Sequence, residues 1–104
     1  MKGEIHTYSD ILKFSEKINS KIQKKSIILL IVSNSIESIK AYVSFVKSEN
    51  LSIILDESFK PEFANAIIKK YKPNYIFTPK NFLKDISFKE IIYKGANYVL
   101  YKSN

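Results

Sequence analysis

Six consecutive residues, Ile27-Ile28-Leu29-Leu30-Ile31-Val32, carry no polar side chain. A strand with one face in water alternates apolar and polar residues, because successive side chains point to opposite faces. An unbroken apolar run therefore needs cover on both faces. This one is far short of the roughly 20 residues of a membrane span. It reads as a central strand of a parallel sheet, flanked by strands at both edges and by helices above and below.

The rest of the chain supplies those partners. Thr7-Tyr8-Ser9-Asp10 opens a helix, with Thr7 as cap and Asp10 three residues on, close to the capping-box pattern. Ile11, Phe14, Ile18 and Ile22 recur at helical spacing, and Lys24-Lys25 places positive charge at the expected C-terminal end. After the central strand, Ser33-Asn34-Ser35 breaks the pattern. Asn34 is read as the N-cap of a second helix, with Glu37 reaching back to it and Ile36, Ile39, Val43 and Val46 as its core stripe. Leu51–Leu55 is a second strand ending at Asp56. Pro61 suits the first turn of a third helix with Phe63, Ala64, Ile67, Ile68 and Tyr71 as its apolar face. Lys72-Pro73-Asn74 stops it, and Tyr75-Ile76-Phe77 forms a third strand before Pro79.

Strand, helix, strand, helix, strand in that order predicts right-handed crossovers and a Rossmann-like, three-layer α/β sheet of about three parallel strands. The Ile27 strand is expected in the middle. Ile28, Leu30, Ile39, Val43, Ile54 and Ile67 are the expected core. Beyond Pro79 the signals weaken: one helical turn over 82–85, then strands over 88–93 and 97–101 around Lys94-Gly95-Ala96 as a hairpin. The length fits one α/β domain over 1–104, with no linker or repeat.

Composition narrows the function. There is no cysteine and a single histidine, His6, which excludes thiolate metal sites and histidine clusters; His6 is assigned to the surface or a strand edge. The net charge of +7 suggests a polyanion partner, but all seventeen basic residues are lysine. Bidentate reading of guanine or phosphate favours arginine, so the charge is assigned to a solvated surface and no nucleic-acid partner is expected. With no apolar signal region after Met1 and no membrane span, the expected location is cytoplasmic.

Ligands of open parallel sheets bind beyond the C-terminal strand ends, here Ser33-Asn34, Asp56-Glu57 and Thr78. Neither glycine, Gly3 or Gly95, lies in the first turn, so no dinucleotide fingerprint or Walker-type loop exists. Asn34 can touch a ligand or simply cap a helix. Asp56 can be a phosphoacceptor, but that needs a magnesium site with further carboxylates, and a turn acid is the plainer reading. Tyr93, Tyr98 and Tyr101 can stack on a base or pack. The sequence thus assigns no catalytic, cofactor-binding or metal-binding residue.

Several segments together resemble the AMP-forming ligases, the family of acyl-CoA synthetases and peptide-synthetase adenylation domains. Thr7-Tyr8-Ser9-Asp10-Ile11-Leu12 is similar to the T-Y-x-E/D-L opening of that family's first helix. Ile27 through Ala41 matches its strand, asparagine (Asn34), glutamate (Glu37) and alanine (Ala41) pattern. Leu51–Asp56 is similar to its x-x-V-P-L-D strand, and Tyr71–Phe77 to the run before its third strand. The likeness spans residues 7–79. It departs at Ser48-Glu49-Asn50, where a glycine is usual, and at Lys24-Lys25-Ser26-Ile27, in place of G-D-x-V. The resemblance implies the N-terminal structural subdomain of a divergent adenylating ligase. The parent would use ATP and magnesium to form an acyl-adenylate and then a thioester. The family's Ser/Thr/Gly-rich loop ending in Pro-Lys, its aromatic-Gly-x-Thr-Glu segment, its ribose-binding aspartate and its C-terminal lysine have no counterpart in these residues. No cofactor is therefore expected in this chain itself, and its partner is the remainder of the parent.

The alternative is a free-standing cytoplasmic α/β interaction domain with a protein partner. A subdomain is expected to expose an apolar, tyrosine-bearing patch, placed by sequence over 82–101 around Phe88, Ile92, Tyr93, Tyr98 and Tyr101. The patch would drive weak self-association that strengthens with salt. Burial of those aromatics in a monomer would favour the free-standing domain.

Overall fold

The computed structural model describes residues 8–46, 48, 50–83 and 90–102. Among them a five-stranded mixed sheet lies between helices, in the strand order β2-β1-β3-β5-β4. The elements are α1 (Tyr8–Asn19), β1 (Ile27–Val32), α2 (Ile36–Val46), β2 (Leu51–Asp56), α3 (Pro61–Tyr71), β3 (Tyr75–Pro79), β4 (Glu90–Lys94) and β5 (Tyr98–Lys102).

The unbroken run takes the central place its composition demands. β1 pairs in parallel with β2 from Ile27↔Leu51 to Val32↔Asp56 and with β3 from Ile28↔Tyr75 to Leu30↔Phe77. Ile28 and Leu30 face one core with Ile18, Ile22, Ala41, Phe45, Tyr75 and Phe77. Leu29 and Ile31 face the other with Leu55, Ala64 and Ile76. The crossovers through α2 and α3 run in opposite directions from β1. Crossovers of one hand must then put their helices on opposite faces, and α2 and α3 do join opposite cores. Asparagines lace the start of β1 on both sides: Ser26 N–H donates to Asn50 Oδ1 (2.8 Å) and Ile27 N–H to Asn74 Oδ1 (2.8 Å).

The hairpin is part of this sheet rather than an appendage. β5 pairs antiparallel with β3, and β4 with β5, so a sheet expected to hold about three parallel strands is mixed and five-stranded. Three buried residues of β5, Tyr98, Val99 and Leu100, cover the edge that β3 would otherwise leave open. The expected helical turn at 82–85 is, over its described part, a turn in which Asn81 takes a positive φ of 66° and Phe82 N–H returns to Pro79 C=O. Thr7, His6, Phe88, Asp85 and Gly3 lie outside the described residues.

Two further expectations need correction. α1 ends at Asn19, well before Lys24-Lys25, because the Ser20 hydroxyl caps Lys17 C=O (2.8 Å) and the chain turns so that Ile22 still enters the core. The turn is held from outside, where Gln23 N–H donates to the Tyr75 hydroxyl (3.0 Å). The second correction concerns α2, whose phase is inverted. Its buried residues are Ser38, Ala41, Ser44 and Phe45, whereas Ile39 is 51% exposed, Ile36, Tyr42 and Val46 are exposed, and Val43 is half-buried. Small side chains let α2 lie close to α1 and the sheet, and the serines are satisfied locally: Ser38 Oγ accepts Ser33 N–H (2.9 Å) and Ser44 Oγ donates to Lys40 C=O (2.8 Å). Of the six expected core residues, Ile28 and Leu30 are fully buried, Val43 and Ile67 half-buried, and Ile39 and Ile54 exposed.

Candidate functional site

The order β2-β1-β3 reverses direction between β1 and β3, and that is where open α/β sheets place ligands. The two strands part there. Their pairing stops at Leu30↔Phe77, while β1 continues to Val32 and β3 to Pro79. Beyond the parting lies an open cleft of about 670 Å³, lined among others by Ser33, Asn34, Ser35, Glu57, Lys80 and Asn97.

Its floor is polar and satisfied. Tyr98, 1% exposed, stacks on Phe77 with centroids 4.8 Å apart and sends its hydroxyl across to the end of β1. The Tyr98 hydroxyl donates to Ile31 C=O (2.6 Å), a carbonyl that β3 no longer reaches, and lies 2.8 Å from Ser33 Oγ. The phenol has one proton and a carbonyl only accepts, so Ser33 donates in the second contact. Ser33 Oγ in turn accepts Ser35 N–H (3.3 Å).

The start of α2 is capped by Ser35 rather than Asn34: Ser35 Oγ accepts Ser38 N–H (3.2 Å). Glu37, freed from capping, reaches the β4–β5 turn and accepts Asn97 N–H at Oε1 (2.7 Å). Its other oxygen packs on Gly95, where a Cβ would overlap it. A side chain at position 95 would push that carboxylate, the end of a flexible side chain, out of its place. The turn is completed by Gly95 N–H to Tyr98 C=O (2.8 Å), and Lys80 N–H donates to Asn97 C=O (2.9 Å). The Tyr93 phenol is pushed above its ordinary 10.0, first by burial and then by the Glu37 charge.

Asn34 stands exposed on the rim of the cleft. Asp56 is exposed and accepts Ser58 N–H (3.0 Å) in a local turn at the β2–α3 junction. Tyr93, Tyr98 and Tyr101 pack into the two cores. The sequence placed Ser33 at the strand end, read Glu37 as a capping partner and Gly95 as a turn residue without their contacts here, and showed no role for Ser35 or Ser38. The spacing Ser35-x-x-Ser38 was the available signal, a cap residue and its N3 partner one place later than the asparagine. Chemically, the cleft offers hydroxyls, carboxamides and Lys80. At Ser33-Asn34-Ser35 side chains stand where a glycine-rich loop would offer bare backbone to a phosphate, and Glu57 is the single carboxylate of the lining. Among the described residues no three His, Cys, Asp or Glu side chains group to hold a metal ion, and no helix is long and apolar enough to cross a membrane. Comparison with protein-family models, with curated proteins and with solved structures returned no match for this chain.

Proposed function

We propose that the chain is the N-terminal structural subdomain of an AMP-forming, carboxylate-activating ligase, forming one wall of a larger adenylating domain. The observation that carries this reading is α2. Its inner face holds Ala41 and Phe45, and its outer face presents Ile36, Ile39, Tyr42 and Val46, with exposures from 37% to 58%. A helix that carries large apolar side chains on its outer face as well as its inner one is suited to cover on both sides. The resemblance over residues 7–79 supports that placement. ATP, magnesium and the acid belong to the remainder of the parent, and this subdomain supplies scaffold.

The described residues of the patch placed by sequence over 82–101 do not support the reading, because Tyr98 is buried and Ile92 and Tyr93 pack against the core. That burial favours the second reading, a free-standing cytoplasmic interaction domain. The coding sequence that follows the Asn104 codon in the source DNA separates them. A Ser/Thr/Gly-rich loop ending in Pro-Lys is expected, and the product of the whole frame should exchange pyrophosphate with ATP in the presence of a carboxylic acid. A stop codon at that point overturns the ligase reading.

A further inference from the structure

We propose that the free edge of β2 is a self-association surface, on which a second copy of this chain adds its own β2 antiparallel across a two-fold axis. The inference is independent of the ligase reading. β2 lies at the end of the sheet, and among the described residues no strand pairs with its outer side. The Leu51 and Glu57 N–H groups donate inward to Ser26 C=O (3.0 Å) and Val32 C=O (2.9 Å). Residues alternate along a strand, so the N–H groups of Ser52, Ile54 and Asp56 point outward.

The two edges of the sheet differ in how they are protected. β4 carries Glu90 and Lys94 and a register shift between Ile91 and Tyr93, the usual charged and bulged blunting of an edge. β2 is Leu-Ser-Ile-Ile-Leu-Asp, in regular register over all six residues, with no lysine, proline or glycine, and with Leu51 and Ile54 exposed. An apolar edge in regular register, without a bulge, lysine or proline, is a template for another strand.

The occupant follows from charge and register. Lys24 and Lys25, both exposed, lead into Ser26 beside the start of β2, and the exposed Asp56 and Glu57 stand at its end. A two-fold axis through Ile54 sets Ile54 against its equivalent and Ser52 against Asp56, with the outward groups facing one another. It also brings the acidic end of each strand to the Lys24-Lys25 end of the other. Parallel addition would set acid against acid and lysine against lysine.

Sedimentation velocity on the whole chain at rising concentration tests this, with a micromolar-to-millimolar dimer expected. Ile54→Pro removes an outward N–H but no bond to β1, and should weaken the dimer about tenfold or more. Lys24→Glu/Lys25→Glu should weaken it also, and adding Asp56→Lys/Glu57→Lys should restore it. Ile39→Lys, on the outer face of α2, should leave it unchanged. Circular dichroism reports whether Ile54→Pro folds; if it does not, the charge exchange decides alone. A chain monomeric at millimolar concentration overturns the proposal, as does a dimer lost with Ile39→Lys, or a charge exchange that fails to restore association.

Discussion

Replacing Tyr98 by phenylalanine isolates the bond that holds the parting of β1 and β3 together. The ring stays, so its stacking on Phe77 and its burial are retained. What is lost is one hydroxyl that donates to Ile31 C=O at 2.6 Å and meets Ser33 Oγ at 2.8 Å. A buried acceptor left without a partner costs about 1–3 kcal/mol. No strand is placed to replace the donor, since β1–β3 pairing ends at Leu30↔Phe77. The expected loss is therefore about 2 kcal/mol, a large part of the 5–15 kcal/mol typical of a whole domain. For a chain of this size that lowers Tm by roughly 8–16 °C. Urea unfolding followed by circular dichroism should show a lower midpoint with an unchanged slope. Ser33→Ala and the double variant complete a cycle, and a coupling above about 0.5 kcal/mol is expected because both groups share one network. A loss for Tyr98→Phe below about 0.5 kcal/mol would mean that water or Ser33 supplies the Ile31 carbonyl, and that Tyr98 acts by its ring alone.

Ile39→Lys should change stability by less than about 0.5 kcal/mol, as at an ordinary exposed site, whereas Ala41→Leu should cost about 1–3 kcal/mol by overpacking; urea melts that reverse this order would restore the stripe expected from sequence. Gly95→Ala should cost no more than about 0.5–1.5 kcal/mol, the worth of the Glu37–Asn97 bond that the displaced carboxylate gives up, and little of that cost should remain in the Glu37→Ala background, because the added Cβ meets the Glu37 carboxylate. Tyr93 should ionise above 10.0 in a spectrophotometric titration, with Glu37→Gln bringing it part of the way back. With the folded value raised, the stability contributed by Tyr93 is intact below pH 10.0 and is lost as pH rises above it, because the unfolded chain releases its proton first. Tyr93→Phe should flatten that alkaline loss, and an unchanged alkaline limb would assign it to other groups.

The middle of the sheet is legible in the chain's apolar pattern. Six apolar residues in a row admit little but a strand covered on both faces, and the helical periods on either side, broken at Ser33 and Pro73, supply the crossovers that make β1, β2 and β3 parallel. The phase of α2 is set by packing. Periodicity fixes the spacing of a face, but the sequence scores Ser38 and Ser44 as polar, and packing uses them as small residues whose hydroxyls bond locally. The place of the hairpin was likewise beyond local pattern, since β5 is chosen by the open edge of β3. The cleft was legible as a position, beyond the strand ends, but not as a set of groups. Glu37 meets Asn97 sixty residues away, and Tyr98 meets Ile31 across sixty-seven. Such contacts leave no period in a sequence; they exist because the folded sheet brings the end of β1 to the start of β5, where a buried carbonyl must find a donor.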